Sequence, residues 1–235
     1  HPSGGAGTAP IFGGGGDDNI LGGAGDDRIS GGDGDDNLFG DEGDDWLFGG
    51  ADNDYLDGGF NNDVLYGGTG DDTLIGGDGE NFLYGGEGAD TMIGGSGYDH
   101  YYVDDAGDVV IEASAAGSDR DVVTATVDYV LPDNIEWLWS GWSDADDLPP
   151  VFGMSMTGND LDNRIHGAGW DGINVEDGVF ADIIGNHIGY TRGDGIDVTN
   201  NFGVDIKFNR VHDTGDNGIE VNRSAYADIV GNDIE

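Results

Sequence analysis

The first hundred residues place one apolar side chain at every ninth position: Ile11, Ile20, Ile29, Leu38, Leu47, Leu56, Leu65, Leu74, Leu83, Met92 and Tyr101. Each sits in the middle of a three-residue run that, in nearly every copy, follows an Asp or Asn and ends at a glycine. A run that short reads as a strand with one side chain turned to a core. The strict period makes the segment a stack of short strands joined by tight turns. Between residues 98 and 139 strand-like runs recur at wider intervals, around Val109–Ile111, Val122–Val127 and Trp137–Trp139, with Gly and Pro-Asp turns between them. The last third repeats every 23 residues. Its columns are Ile173, Ile196 and Ile219; Val175, Val198 and Val221; Ile183, Ile206 and Ile229; Ile188, Val211 and Ile234. One asparagine recurs as Asn186, Asn209 and Asn232, as expected of stacked amides that satisfy one another at a turn. One further step back reaches Asn163 and places Ile165 beneath Ile188, so a degenerate first coil is expected from about Leu148. The predicted chain is all-β.

The nine-residue unit reads Gly-Gly-x-Gly-x-Asp-x-apolar-x and starts at Gly4, Gly13, Gly22 and so on to Gly94, without an insertion. Its glycines permit tight turns with φ > 0. Two units make one coil, so equivalent positions recur every 18 residues. The sixth-position residues then form two rows, Asp18, Asp36, Asp54, Asp72 and Asp90 on one side, and Ala9, Asp27, Asp45, Asp63, Asn81 and Asp99 on the other. Carboxylates about 5 Å apart repel by roughly 3 kcal/mol per pair at an effective dielectric near 20. Such a stack is expected to be unstable unless a cation neutralises it. A disordered Gly/Asp linker has no use for the strict apolar eighth position.

These units resemble the RTX nonapeptide repeat family over residues 4–102. The resemblance implies a parallel β-roll, Ca²⁺ as a multiple cofactor, and the metal ligands Asp18, Asp27, Asp36, Asp45, Asp54, Asp63, Asp72, Asp90 and Asp99. It also implies export by bacterial type I secretion to the extracellular space or cell surface. The row containing Ala9 and Asn81 is expected to bind fewer or weaker ions. Glu112, Asp119 and Asp121 are candidates for a further Ca²⁺, or are solvated surface acids.

Composition sharpens this picture. Asp and Glu total 49 against 7 Lys and Arg, giving a formal charge of −42. The basic footprint that nucleic acid or an anionic membrane requires is missing. There is no cysteine, so a disulfide framework is excluded. No apolar run is long enough to span a bilayer. The chain starts at His1 without Met and stops at Glu235 four residues short of a full coil, which reads as a processed chain or a fragment with its secretion signal further on.

Three organisational segments follow: the roll (4–102), capping strands and linker (103–157), and coils of period 23 (158–235). The coils read as a right-handed parallel β-helix and resemble those of mannuronan C-5 epimerases and polyuronate lyases. That resemblance implies, as candidates only, a cluster of Lys207, Arg210, His212 and Asp213, with His187 and Arg192 one coil away. Arg210 shares a column with His187, and His212 with His166. The alternative is that these are surface residues on turns. The Asp-Pro-His-Glu stretch of the epimerases is absent, so the expectation leans away from an enzyme and no catalytic residue is assigned. One outer face of the roll is aromatic, with Trp46, Phe48, Tyr66, Phe82, Tyr84 and Tyr102. It is expected either to stack as a ladder or to meet a partner, such as acidic polysaccharide or another copy of the chain assembling into a fibre. The function expected is a secreted calcium-binding repeat protein forming a structural or adhesive module. The alternatives are a piece of a polysaccharide-modifying enzyme and a calcium-dependent fibre.

Overall fold

The computed structural model describes residues 10–112, 120–140, 156–157, 162–166, 173–176, 180–184, 187–189, 194–200 and 202–234. Ala9, Asp119, Asn186 and Arg192 lie outside the described residues, as do residues 141–155 of the expected capping strands and linker. The described chain is all-β, without a helix, and its parallel strands stack as a β-solenoid. It forms two compact units that meet in sequence at Asp121 and Val122.

The first unit holds β1 (Ile11–Gly15), β2 (Asn19–Ala24), β3 (Arg28–Asp33), β4 (Asn37–Glu42), β5 (Trp46–Ala51), β6 (Tyr55–Phe60), β7 (Val64–Thr69), β8 (Thr73–Asp78), β9 (Phe82–Glu87), β10 (Thr91–Ser96), β11 (His100–Val103) and β12 (Val109–Ile111). Odd strands β1 to β11 form one parallel sheet and even strands β2 to β12 another. Neighbours are in register at a spacing of 18, as in Leu47↔Leu65 and Leu56↔Leu74. The apolar column from Ile20 to Tyr101 is fully buried between the sheets. The register persists in β12, where Val110 pairs with Met92 although the glycine motif has ended. The second and fourth positions of the unit carry positive φ, and the copies without glycine there use Asp41, Asp52 and Asn61, with φ of 76°, 73° and 80°. Asp and Asn are the side chains that best tolerate that region.

The aromatic face is a ladder. Phe48, Tyr66, Tyr84 and Tyr102 stack with ring centroids 5.1, 4.5 and 4.0 Å apart. Phe82 lies 4.8 Å from His100, and Trp46 lies beside Phe48 and under the Arg28 guanidinium. Trp46 remains 44% exposed.

The second unit contains β13 (Val122–Ala125), β14 (Tyr129–Val130), β15 (Trp137–Ser140), β16 (Met156–Thr157), β17 (Asp162–His166), β18 (Ile173–Glu176), β19 (Phe180–Ile184), β20 (His187–Gly189), β21 (Ile196–Thr199), β22 (Gly203–Lys207), β23 (Arg210–His212), β24 (Ile219–Asn222), β25 (Ala227–Val230) and β26 (Asp233–Ile234). From β18 onward each coil contributes to three parallel sheets at the 23-residue spacing, as in Ile173↔Ile196↔Ile219 and Ile188↔Val211↔Ile234. Asn209 is buried and its Nδ2 donates to the Ile183 carbonyl and to Asn232 Oδ1, at 2.8 and 2.9 Å.

The earlier coils break this register. Ile165 pairs with Ile183, not Ile188, and Leu138 pairs with Ile165. The spacing from β17 to β19 is therefore 18 residues, five fewer than the 23 from β19 to β22. For the same reason His166, on β17, does not share a column with His212, whose register partner on β20 is Gly189.

Candidate metal centre

Each sixth-position side chain folds under its own turn and reaches toward the neighbouring coil. On one side the Asp18 N–H donates to Asp36 Oδ1 at 2.7 Å, Asp36 to Asp54 at 2.8 Å, Asp54 to Asp72 at 2.7 Å and Asp72 to Asp90 at 2.8 Å. On the other, Asp27 donates to Asp45, Asp45 to Asp63, Asp63 to Asn81 and Asn81 to Asp99, at 2.7 to 2.9 Å. From Asp27 to Asp99 these side chains are at most 3% exposed, while Asp18 is half-buried. Both expected rows therefore exist.

The ladder uses only Oδ1. The Oδ2 atoms of Asp36, Asp45, Asp54, Asp63, Asp72 and Asp90 are buried without a hydrogen-bond partner. A buried carboxylate oxygen left so is costly. Burial pushes the Asp45 carboxyl up to about 6, Asp54 and Asp90 up to about 7 and Asp63 up to about 8. Like charges along the row add to that shift, and the ladder N–H opposes it without winning. The free oxygens crowd the first glycine of their own unit. A Cβ on Gly67 would fall against Asp72 Oδ2 and 2.6 Å from the Gly85 carbonyl of the next coil. Carboxylate and carbonyl oxygens thus converge where no side chain fits. Hard oxygens of this kind are what Ca²⁺ coordinates.

Residues 3–38, 30–65 and 66–101 match the family described as RTX calcium-binding nonapeptide repeat (4 copies). The roll is an array of RTX calcium-binding nonapeptide repeats. No curated protein and no solved structure matches the chain.

The RTX roll contains three features beyond the two rows expected from the sequence. Asp108 continues the first row, accepting from the Asp90 N–H at 3.0 Å. Counting 18 from Asp90 finds it. Asp121 continues the second row, accepting from Asp99 N–H at 2.8 Å, but its offset of 22 hides it from any count. The third feature is a second, exposed ladder at the fifth position, running in the opposite sense. The Asp35 N–H donates to Asp17, Asn53 to Asp35 and Asp71 to Asn53, while on the other edge Asp44 donates to Asp26, Asn62 to Asp44 and Glu80 to Asn62. An exposed acid thus stands beside a sixth-position Asp at Asp17–Asp18, Asp35–Asp36 and Asp71–Asp72 on one edge and at Asp26–Asp27 and Asp44–Asp45 on the other.

The last coil of the RTX roll closes differently. Glu112 stands where the preceding coils have their first glycine, 18 residues after Gly94. Its carboxylate accepts from Tyr101 Oη at 2.6 Å and meets Asp99 and Asp121, with all three ligand oxygens within 4.8 Å of one another. Of the acids singled out in the sequence, Glu112 and Asp121 are brought together.

The candidate catalytic residues occupy the second unit. Lys207, on β22, contacts Asp205 at 2.5 Å and Asp228 at 3.1 Å, and these hydrogen bonds raise its pKa. His212 Nδ1 lies 3.0 Å from Asp213 Oδ2, and Arg210 is exposed on β23, in register with His187.

Proposed function

We propose that the chain is a secreted protein whose first unit folds on Ca²⁺ to build an extracellular structural or adhesive module. The proposed ligands are the sixth-position carboxylates Asp18, Asp27, Asp36, Asp45, Asp54, Asp63, Asp72, Asp90 and Asp99, extended by Asp108 and by the Glu112–Asp121 pair at the last coil. The observation that carries this reading is the line of buried, partnerless Oδ2 atoms.

In the bound state the cation supplies the positive charge that lets these oxygens remain ionised inside the turns. The chain's own groups do the rest. The Oδ1 ladder fixes each carboxylate, the first glycine leaves room beside it, and the next coil's carbonyl adds a neutral oxygen. At the turns where an exposed fifth-position acid stands beside the sixth-position Asp (Asp17, Asp26, Asp35, Asp44 and Asp71), it brings the charge per turn toward that of a divalent ion. Without the cation, desolvation and mutual repulsion oppose stacking, so binding free energy becomes folding free energy. Extracellular modules of this sort work at Kd of about 10⁻⁴–10⁻³ M. The chain would therefore stay open where Ca²⁺ is scarce and close after export. RTX repeat proteins typically leave by type I systems, which supports that route.

Limited proteolysis mapped by mass spectrometry tests the reading. With millimolar Ca²⁺ the segment 10–112 should resist cleavage, and with chelator it should be cut throughout. Equal resistance in both would refute calcium-driven folding.

A further inference from the structure

Asn81 interrupts the second row in a specific way. It is fully buried. Its Oδ1 accepts the Asp63 N–H at 2.9 Å, and its own N–H donates to Asp99 Oδ1 at 2.9 Å. The first bond fixes which end of the amide faces which way. Turning the amide over would set its NH₂ against a backbone N–H, donor against donor. The Nδ2 therefore occupies the place that Oδ2 takes in the other coils, and it has no hydrogen-bond partner. A Cβ on Gly76 would lie 2.7 Å from this Nδ2 and 2.9 Å from the Gly94 carbonyl, so the amide points into the same recess that elsewhere gathers carboxylate and carbonyl oxygens.

Resting on the calcium reading above, we infer that Asn81 closes its recess to cations and divides the second row into two separate groups. An NH₂ presents hydrogens, not lone pairs, and it removes the negative charge that the recess would need. Asp27, Asp45 and Asp63 form the group before the break, and Asp99, Glu112 and Asp121 the group after it. The first row, from Asp18 to Asp108, is not divided. The two edges of the roll then load differently, with unbroken coupling along one and two shorter segments along the other.

The test counts calcium per chain by equilibrium dialysis and by native mass spectrometry on the full chain. Asn81→Asp should add one ion and steepen the binding isotherm, because the two groups become one. Asp72→Asn, which places the same amide in the undivided row, should lose one ion. The second variant keeps the inference open to refutation if the first does not fold. Equal counts for wild type and Asn81→Asp, or an unchanged count in Asp72→Asn, would overturn the inference while leaving calcium binding intact. No calcium on the wild-type chain would overturn the calcium reading, and this inference with it.

Discussion

Glycine at the first position of each unit is there for room, whereas glycine at the second and fourth is there for backbone shape and, from the second coil on, for room against the preceding coil as well. Gly67→Ala should therefore destabilise the roll by about 1–3 kcal/mol, as overpacking does, because its Cβ meets Asp72 and a backbone carbonyl. Gly15→Ala, with open space around it and no positive φ, should change stability by no more than about 0.5 kcal/mol. Thermal melts of the two variants in saturating Ca²⁺ check the contrast. At the sixth position, Asp63→Asn keeps an Oδ1 for the Asp45 N–H but withdraws the free oxygen. In Ca²⁺ this variant should melt lower than wild type, while in chelator at pH 7.5 it should be no less stable, because the buried charge has gone. A variant that lost stability equally in both conditions would make Asp63 a packing residue only.

At the level of strands and coils, the raised carboxyl pKa values set a pH dependence for the roll without metal. The sign follows from linkage: folded-state values near 6 to 8 stand above the unfolded value of 3.8. The protonated carboxyls therefore favour the fold fully below about 4, and this contribution is lost as pH rises through 6 to 8. In chelator, β-structure measured by circular dichroism should increase on acidification from pH 8 to pH 4.5. Absence of any gain would mean that the buried acids do not limit folding. The aromatic ladder is a separate source of stability. Tyr84 stacks on both neighbours, and such pairs contribute about 0.5–1.5 kcal/mol each beyond area burial. Tyr84→Ala should lower the melting temperature without changing the number of bound calcium ions.

Most of the first unit was legible because one residue type recurs at one spacing, so Leu47, Leu65 and Leu83 announce a column before any coordinates exist. The register that stayed hidden depended on changes in spacing, whereas Asp108 and the fifth-position ladder keep the regular step of 18. Asp121 joins its row after a four-residue lengthening of the coil, and Ile165 joins Ile183 because that coil is shorter than the 23-residue ones above it. A single apolar residue two places after an asparagine does not fix a register; the matched columns from Ile173 onward do. Glu112 was legible as an acid but not as an inward one, since only the pairing of β12 with β10 aligns it with Gly94.

At the scale of the whole molecule, the two units rest on different physics. On the proposed calcium reading the buried carboxylates of the roll need a cation, whereas the period-23 coils stack neutral Asn209 and Asn232 amides that bond one another and the backbone. Hydrogen exchange on the full chain in chelator should therefore lose protection across 19–103 and retain it at Ile196, Val198 and Ile206. The central claim is that calcium drives the folding of the first unit. The most direct test is a far-ultraviolet circular dichroism titration of chelated protein with Ca²⁺, and with Mg²⁺ in parallel. A cooperative rise in β-structure at sub-millimolar to millimolar Ca²⁺, not reproduced by Mg²⁺, is the predicted result. A β spectrum already complete in chelator and unchanged by Ca²⁺ would contradict it.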